Sequence, residues 1–193
     1  MTAVPAGCGL PVDGGGAVHS SDRRQGLPTD VFDSQDFRHA SGQFPTGVTV
    51  VTTLDADGRP VGLTANSFSS VSLTPPLVLF CLVNTSDTMP AFETGRGFVV
   101  HVLAGSQQPL GARFATKGIE RFDGVEWEEG HRGLPVIPGA LATFECDLEN
   151  AYDGGDHVIY VGRVVRLSID PDGRPALGYF RSRWVTIEDP SED

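Results

Sequence analysis

The sequence predicts a mainly β fold, an antiparallel Greek-key barrel with a few peripheral helices. Runs rich in Val and Thr are separated by turn signals such as Asp57-Gly58, which favours a hairpin between the two strands that flank it. Stretches with helical spacing are few and short. Strand predominance with recurring hairpins is typical of antiparallel barrels, but the pattern does not separate one Greek-key barrel from another.

The first predicted element is a helix that starts at the capping residue Asp33 and is ended by Gly42 and Pro45. The strands that follow are predicted from runs that are rich in Val and Thr or continuously apolar. They lie at 47–54, 59–70, 77–83, 98–103, 141–152, 157–169 and 176–180.

Two more helices are expected between these strands. One runs through Phe92, with Ser86 or Asp87 as its cap. The other covers 106–115, where Leu110 and Phe114 have i, i+4 spacing. Both are short, so we expect them to lie at the periphery of the barrel.

The chain of 193 residues suits one folded domain with a sizeable core. Residues 1–29 are rich in Gly, Pro and Ser and lack apolar periodicity, which predicts a flexible N-terminal tail. The domain is assigned to 30–188, and 189–193 is predicted to be a short acidic tail.

Composition excludes several classes of function. A formal net charge of −11 argues against a nucleic-acid partner, because phosphate binding needs basic patches. No apolar run approaches the roughly 20 residues of a membrane helix, and no signal peptide is evident. The three cysteines are far apart and form no CxxC pair, so no metal site is predicted and the cytoplasm is the expected compartment.

Two segments carry groups suited to ligand binding. The segment 64–70 offers small hydroxyl and amide side chains with little bulk, which suits a flat polar cofactor without saying which one. Gly154 and Gly155 precede Asp156-His157 where two strands meet, and glycines there allow close approach by a ligand. No GxGxxG motif lies on a strand–turn–helix unit, so a Rossmann dinucleotide domain is not expected.

Five segments in order resemble the short-chain flavin reductases, the split-barrel partners of two-component flavin-dependent monooxygenases. The resemblance covers 32–187. The segments are FPTGVTVVT at 44–52, GLTANSFSSVSLTPPLVLFCL at 62–82, RFDGVEW at 121–127, GGDHVIYVGRV at 154–164 and GYFRSRW at 178–184.

The resemblance implies a flavin-binding split barrel and an NAD(P)H:flavin oxidoreductase. Hydride would pass from NADH or NADPH, with NADH favoured, to FAD or FMN. The reduced flavin would then serve a separate monooxygenase, and two protomers would form a homodimer. The Val-, Arg-, Gly- and Asp-rich composition further suggests a GC-rich bacterium and a pathway of specialised metabolism.

The resemblance also implies the residues that bind the cofactors. His157 would be the catalytic residue, placed beside the nicotinamide, and Ser86 with Thr88 would contact the flavin phosphate. Where many members have a basic residue in this segment, this chain has Asn84 and Asp87, so Lys117 or Arg121 would assist. The full cofactor-binding set is Pro45, Thr46, Gly47, Val48, Thr64, Ala65, Asn66, Ser67, Phe68, Val83, Asn84, Thr85, Ser86, Thr88, Lys117, Asp156, His157, Tyr179 and Arg181.

Structural roles remain open for several of these residues. Thr64 and Ser67 could simply end a strand, Lys117 could be a solvated surface residue, Asp156 could cap a turn, and Arg181 could be exposed tail charge. Two alternative functions also remain. One is a flavin-binding carrier or sensor without turnover, and the other is a related split-barrel flavin or deazaflavin oxidoreductase.

Overall fold

The computed structural model describes residues 32–188 of a chain that divides into two units, 1–37 and 38–193. The predicted tails at 1–29 and 189–193 lie outside the described residues. The helices are α1 (Ser34–Ser41), α2 (Met89–Phe92) and α3 (Gln108–Ala115). The strands are β1 (Thr46–Gly47), β2 (Thr49–Leu54), β3 (Pro60–Ala65), β4 (Ser69–Leu73), β5 (Pro76–Val83), β6 (Phe98–Val102), β7 (Glu128–Glu129), β8 (Pro135–Val136), β9 (Ala142–Asp153), β10 (His157–Ile169), β11 (Ala176–Phe180) and β12 (Arg183–Ile187).

Seven strands form one antiparallel sheet in the order β3-β2-β6-β9-β10-β5-β4. The strands at its two ends, β3 and β4, follow one another in the chain, joined only by Asn66, Ser67 and Phe68. Such a link reaches at most roughly 14 Å, whereas seven flat strands would be roughly 29 Å across. The sheet must therefore curl until its end strands face each other. Because β3 does not pair with β4 in the described sheet, the barrel stays open along this line, which we call the seam.

The mainly β, split-barrel fold predicted from the sequence is thus confirmed, but the single strand predicted at 59–70 is wrong. Its residues alternate suitably for one strand, yet the chain leaves β3 at Ala65 and enters β4 at Ser69 on the opposite edge of the sheet. The predicted hairpin at Asp57-Gly58 is present, with Gly58 at a positive φ of 80°.

A second, three-stranded sheet has the order β1-β11-β12. Val48 connects it to the barrel, since its N–H donates to Leu177 O and its carbonyl accepts from Leu103 N, both at 3.0 Å. The strand predicted at 47–54 is therefore divided at Val48 into β1 and β2, which belong to different sheets. Sequence patterning did not predict β12.

The cap predicted for α2 is one residue or two out of place. The N-cap is Thr88, not Ser86 or Asp87, and Thr88 makes no side-chain capping bond. Instead, the Ser86 and Thr88 hydroxyls lie 2.8 Å apart, and Ser86 Oγ accepts the Thr88 N–H at 3.3 Å.

The barrel core contains an aromatic group on β5, α2, β6 and β10. Phe80 stacks on Tyr160 with ring centroids 5.4 Å apart and meets the edges of Phe92 and Phe98 at 5.3 and 5.0 Å. Gly162 on β10 packs directly against this group, because a Cβ there would overlap the Phe98 ring. These rings are buried and fill the part of the barrel interior that lies between the four elements.

His101 on β6 is fully buried inside the fold. Its Nδ1 lies 3.0 Å from Val50 O, and its Nε2 accepts the Ile137 N–H at 2.9 Å. Burial lowers the pKa of His101 to about 4, so the imidazole is neutral at pH 7. Its role is to satisfy two buried backbone groups.

Within residues 32–188, no helix has the length and apolarity that a membrane crossing requires.

Candidate functional site

A cavity of about 260 Å³ opens at the seam of the barrel. Three strand ends and one loop converge on it: the end of β3, the end of β5 with the turn after it, the start of β10, and the loop after α3. Its lining residues are Leu63, Thr64, Ala65, Asn66, Ser67, Cys81, Leu82, Val83, Ser86, Asp87, Phe114, Ala115, Lys117, Arg121 and His157. We call it the seam cavity.

Hydroxyl groups hold the open seam in shape. Thr64 Oγ1 donates to Gly111 O of α3 at 2.6 Å. Ser67 Oγ accepts the Cys81 N–H at 2.9 Å and lies 3.3 Å from Cys81 O, which ties the seam to β5. The Asn66 amide between them forms no hydrogen bond to a described residue and is exposed. Of these three side chains, Asn66 is therefore the one free to meet a ligand.

Basic groups stand on one side of the seam cavity, and one of them is already paired. Arg121 forms a bidentate ion pair with Asp87 at 3.1 Å, and its guanidinium also donates to Thr116 O and Gly62 O. Its side chain is only 10% exposed. Lys117, the single lysine of the chain, is exposed and forms no ion pair within residues 32–188. The free charge beside the cavity therefore comes from Lys117.

The loop that carries Lys117 is held by a residue that the sequence did not single out. The Arg113 guanidinium of α3 donates to the carbonyls of Arg121, Glu120 and Asp123 at 2.8, 3.0 and 2.7 Å. Three carbonyls converging on one guanidinium fix the course of the loop. An arginine one helix turn before an irregular, glycine-containing loop is the only signal for this role that the sequence carries.

His157 lies at the start of β10 on the rim of the seam cavity. Its Nδ1 is 2.7 Å from Asp156 Oδ1, and its side chain is 42% exposed. The hydrogen bond with His157 lowers the pKa of Asp156 below its ordinary value, so the carboxylate stays ionised. Asn84 fixes the turn before them, because its backbone N–H donates to Asp156 O and its amide donates to Gly155 O. The imidazole is thus oriented with Nε2 left for a ligand.

A second cavity, of about 240 Å³, adjoins the first and shares Thr64, Asn66 and Ala115 with it. Tyr179 and Trp184 form its far wall, in edge-to-face contact with centroids 5.5 Å apart. We call it the aromatic cavity. The shared residues make the two cavities one continuous groove that lies along the seam.

Thr46 lies opposite Tyr179 in the pairing of β1 with β11. Its hydroxyl oxygen is buried and has no hydrogen-bond partner among the described residues. An unsatisfied buried hydroxyl costs about 1–3 kcal/mol, so such groups usually have a partner in the working state. Thr46 is thus a described polar side chain whose hydroxyl is left without a partner.

The structure brings most of the predicted site residues to this groove. Arg181 instead faces a third cavity with Arg38 and His39. Phe68 packs on Phe144 at 5.3 Å, and Thr88 is buried. The predicted residues that line none of these three cavities are Pro45, Thr46, Gly47, Phe68, Asn84, Thr85, Thr88 and Asp156. No metal-binding group of His, Cys, Asp and Glu side chains is found within 32–188.

Comparison with known proteins gives one consistent result. A family model described as the flavin reductase like domain matches residues 41–188. The reductase subunit HsaB of a flavin-dependent monooxygenase from Rhodococcus jostii is 44% identical over 162 residues, which are 84% of this chain and 82% of the relative. SmoA, an NADH-dependent FMN reductase from Agrobacterium fabrum, is 50% identical over 142 residues, 74% of this chain and 80% of the relative.

Solved structures agree with the sequence relatives. The NADH:FAD oxidoreductase of Streptomyces globisporus, determined with NAD and FAD fragments, has a TM-score of 0.75 at 39% identity. The match covers 83% of this chain and 96% of that protein. The family predicted from five sequence segments is confirmed: this chain belongs to the flavin reductase like family.

Proposed function

We propose that this protein is an NAD(P)H:flavin oxidoreductase that supplies reduced flavin to a separate monooxygenase. The observation that carries the proposal is the groove at the open seam, with a free amide at Asn66, a free cation at Lys117 and an oriented imidazole at His157. Relatives named as flavin reductases and as reductase subunits of flavin-dependent monooxygenases support it.

The residues of the groove fit a flavin. The bare backbone edge and small side chains from Thr64 to Ser67 leave a shallow slot for a planar ring system. Asn66 can bond the polar edge of the ring, and Lys117 with the Ser86 hydroxyl can neutralise a phosphate. When bound, FAD or FMN supplies the hydride acceptor, so the protein's task is to bind and orient.

His157 is proposed to position the nicotinamide at the rim of the groove. Asp156 holds the ring through Nδ1, which leaves Nε2 for the carboxamide of the nucleotide. No proton transfer by His157 is required, because hydride transfer between two cofactors moves no proton through the protein. NADH is the favoured donor, and a relative named as an NADH-dependent FMN reductase supports that preference.

The proposal includes the partner protein, the oligomeric state and the cellular compartment. The reduced flavin would pass to a monooxygenase component, and two copies of this chain would form a homodimer. Exposed apolar side chains at Leu73, Leu167 and Ile169 provide surface for such contacts. The two described cysteines, Cys81 and Cys146, are free thiols, which suits the reducing cytoplasm.

Anaerobic stopped-flow absorbance tests the function directly. Purified protein would be mixed with excess FAD or FMN and with NADH or NADPH in turn. We expect bleaching of the oxidised-flavin band over many turnovers of free flavin, fastest with NADH. Tight flavin binding with no bleaching by either nucleotide would sink the reductase proposal and favour a carrier or sensor.

A further inference from the structure

A third cavity, of about 370 Å³, lies beside the end of α1 and the turn between β11 and β12. Two arginines and a histidine face it, in a chain whose net charge is −11. We call it the basic cavity. Its lining residues are Arg38, His39, Gly42, Gln43, Arg181 and Ser182.

The arginines of the basic cavity differ from most others in the fold. Neither Arg38 nor Arg181 forms an ion pair with a carboxylate of residues 32–188. Most of the described arginines do have such a partner, namely Arg59, Arg113, Arg121, Arg132, Arg163, Arg166 and Arg174. Two guanidinium groups that form no ion pair with a described carboxylate and face one cavity make a site for an external anion.

The Arg181 guanidinium lies over the Phe180 ring, 5.0 Å from its centroid, and its forked end is left without a hydrogen bond. Its backbone N–H donates to Gly42 O at 3.0 Å, and its Nε donates to Gln43 Oε1 at 2.9 Å. Both Nη groups make no hydrogen bond to a described residue. A guanidinium fixed at Nε with its two Nη groups free is suited to bidentate contact with a phosphate.

The basic cavity also lies close to the groove on two sides. Tyr179 of β11, two residues before the turn residue Arg181, lines the aromatic cavity. On the other side, the charge of Arg38 adds to the hydrogen bond from His157 in lowering the pKa of Asp156. A ligand that reaches the imidazole of His157 can therefore extend toward Arg38 and Arg181.

We propose that the basic cavity binds the phosphate groups of the nicotinamide dinucleotide. The proposed function assigns Ser86 and Lys117 at the seam to the flavin phosphate, so Arg38 and Arg181 are left for the second cofactor. This inference rests on the proposed function, because the phosphates belong to the same dinucleotide whose nicotinamide His157 would orient.

The test is calorimetric titration with ADP-ribose, which carries the pyrophosphate without the nicotinamide and needs no flavin or turnover. We expect Arg38→Gln, and Arg181→Asn, which tolerates the left-handed backbone of that turn, to weaken binding about tenfold, as the loss of one charge-assisted hydrogen bond does. The matched control is Arg96→Gln, since Arg96 also lacks a described carboxylate and donates only to Ala56 O at 3.5 Å. The control should bind as the wild type does.

A parallel titration with 2′-phospho-ADP-ribose distinguishes the two possible sources of phosphate. If the Arg38 and Arg181 variants lose equal affinity for both compounds, the cavity is assigned to the pyrophosphate. A larger loss of affinity for 2′-phospho-ADP-ribose assigns it to the 2′-phosphate of NADPH. Wild-type protein that does not bind ADP-ribose, or Arg38 and Arg181 variants that bind it like the control, would overturn the inference. If binding depends on Arg38 but no flavin is reduced, the proposed function fails while the cavity assignment stands.

Discussion

The loop beside the seam cavity and the basic cavity both contain arginines, but those arginines have opposite surroundings. Arg113 and Arg121 bind loop carbonyls and the Asp87 carboxylate, so their charge is satisfied inside the protein. Arg38 and Arg181 meet no described carboxylate. An arginine near a binding groove is therefore evidence for a ligand only when the fold leaves its guanidinium without an internal partner.

His101 is a third kind of basic group, because it is buried and uncharged. Its effect on the pH dependence of the free energy of unfolding should be the largest of the predicted effects. In the unfolded chain its pKa is the ordinary 6.5, whereas in the folded protein the pKa is about 4. The contribution of the neutral ring to stability is therefore complete above pH 6.5 and falls as the pH drops toward 4, by roughly 3 kcal/mol over that range.

Urea unfolding at pH 7 and at pH 4.5 measures this loss, and an NMR titration of the histidine rings assigns it. His101 should remain neutral at pH 5.5. A His101 ring that titrates near pH 6.5 in the folded protein would contradict the assignment.

Arg121→Met tests the internally satisfied side of the comparison. The substitution removes the pair with Asp87 and the bonds to Thr116 and Gly62 carbonyls, so we expect a loss of about 2 kcal/mol in the free energy of unfolding. Arg96→Met, measured beside it in urea, should change stability by less than about 0.5 kcal/mol. Equal effects in the two variants would show that Arg121 does not hold the loop.

Lys117→Met tests the free cation of the same loop. Stability should be unchanged, whereas the flavin dissociation constant should rise about tenfold, because one charged contact with phosphate is lost. Lys117→Arg should restore most of the affinity, and raising the salt concentration should weaken wild-type binding more than variant binding. Fluorescence titration of flavin gives these constants, and an unchanged affinity for Lys117→Met would place the phosphate elsewhere.

Much of the fold could be predicted because strand patterning and the Asp57-Gly58 turn are local signals. The strand β12 could not, since its hairpin turns at Arg181 and Ser182, both with positive φ values, 47° and 61°. Such turns are usually marked by Asn or Gly, and this one carries neither. The crossing from β3 to β4 was missed for another reason. Asn66 and Ser67 continue the strand pattern in the sequence, and only the strand order of the sheet places β3 and β4 on opposite edges.

The sequence predicted which segments form the site better than it predicted what each side chain does there. Asn66, Lys117 and His157 reach the groove as expected, and their function remains a prediction. Thr64 and Ser67 lie there too, but their hydroxyls already bond Gly111 and Cys81. Arg121 was a plausible phosphate ligand in sequence, and its pairing with Asp87 depends on a contact 34 residues away that no local pattern reveals.

The seam cavity and the basic cavity should bind two different cofactors through different free cations, Lys117 in the first and Arg38 with Arg181 in the second. Steady-state flavin reduction by Lys117→Met and Arg38→Gln, with each cofactor varied in turn, tests it most directly. We predict a crossed result, in which Lys117→Met raises only the KM for flavin and Arg38→Gln raises only the KM for the nicotinamide nucleotide. Two variants that raise the same KM would contradict it.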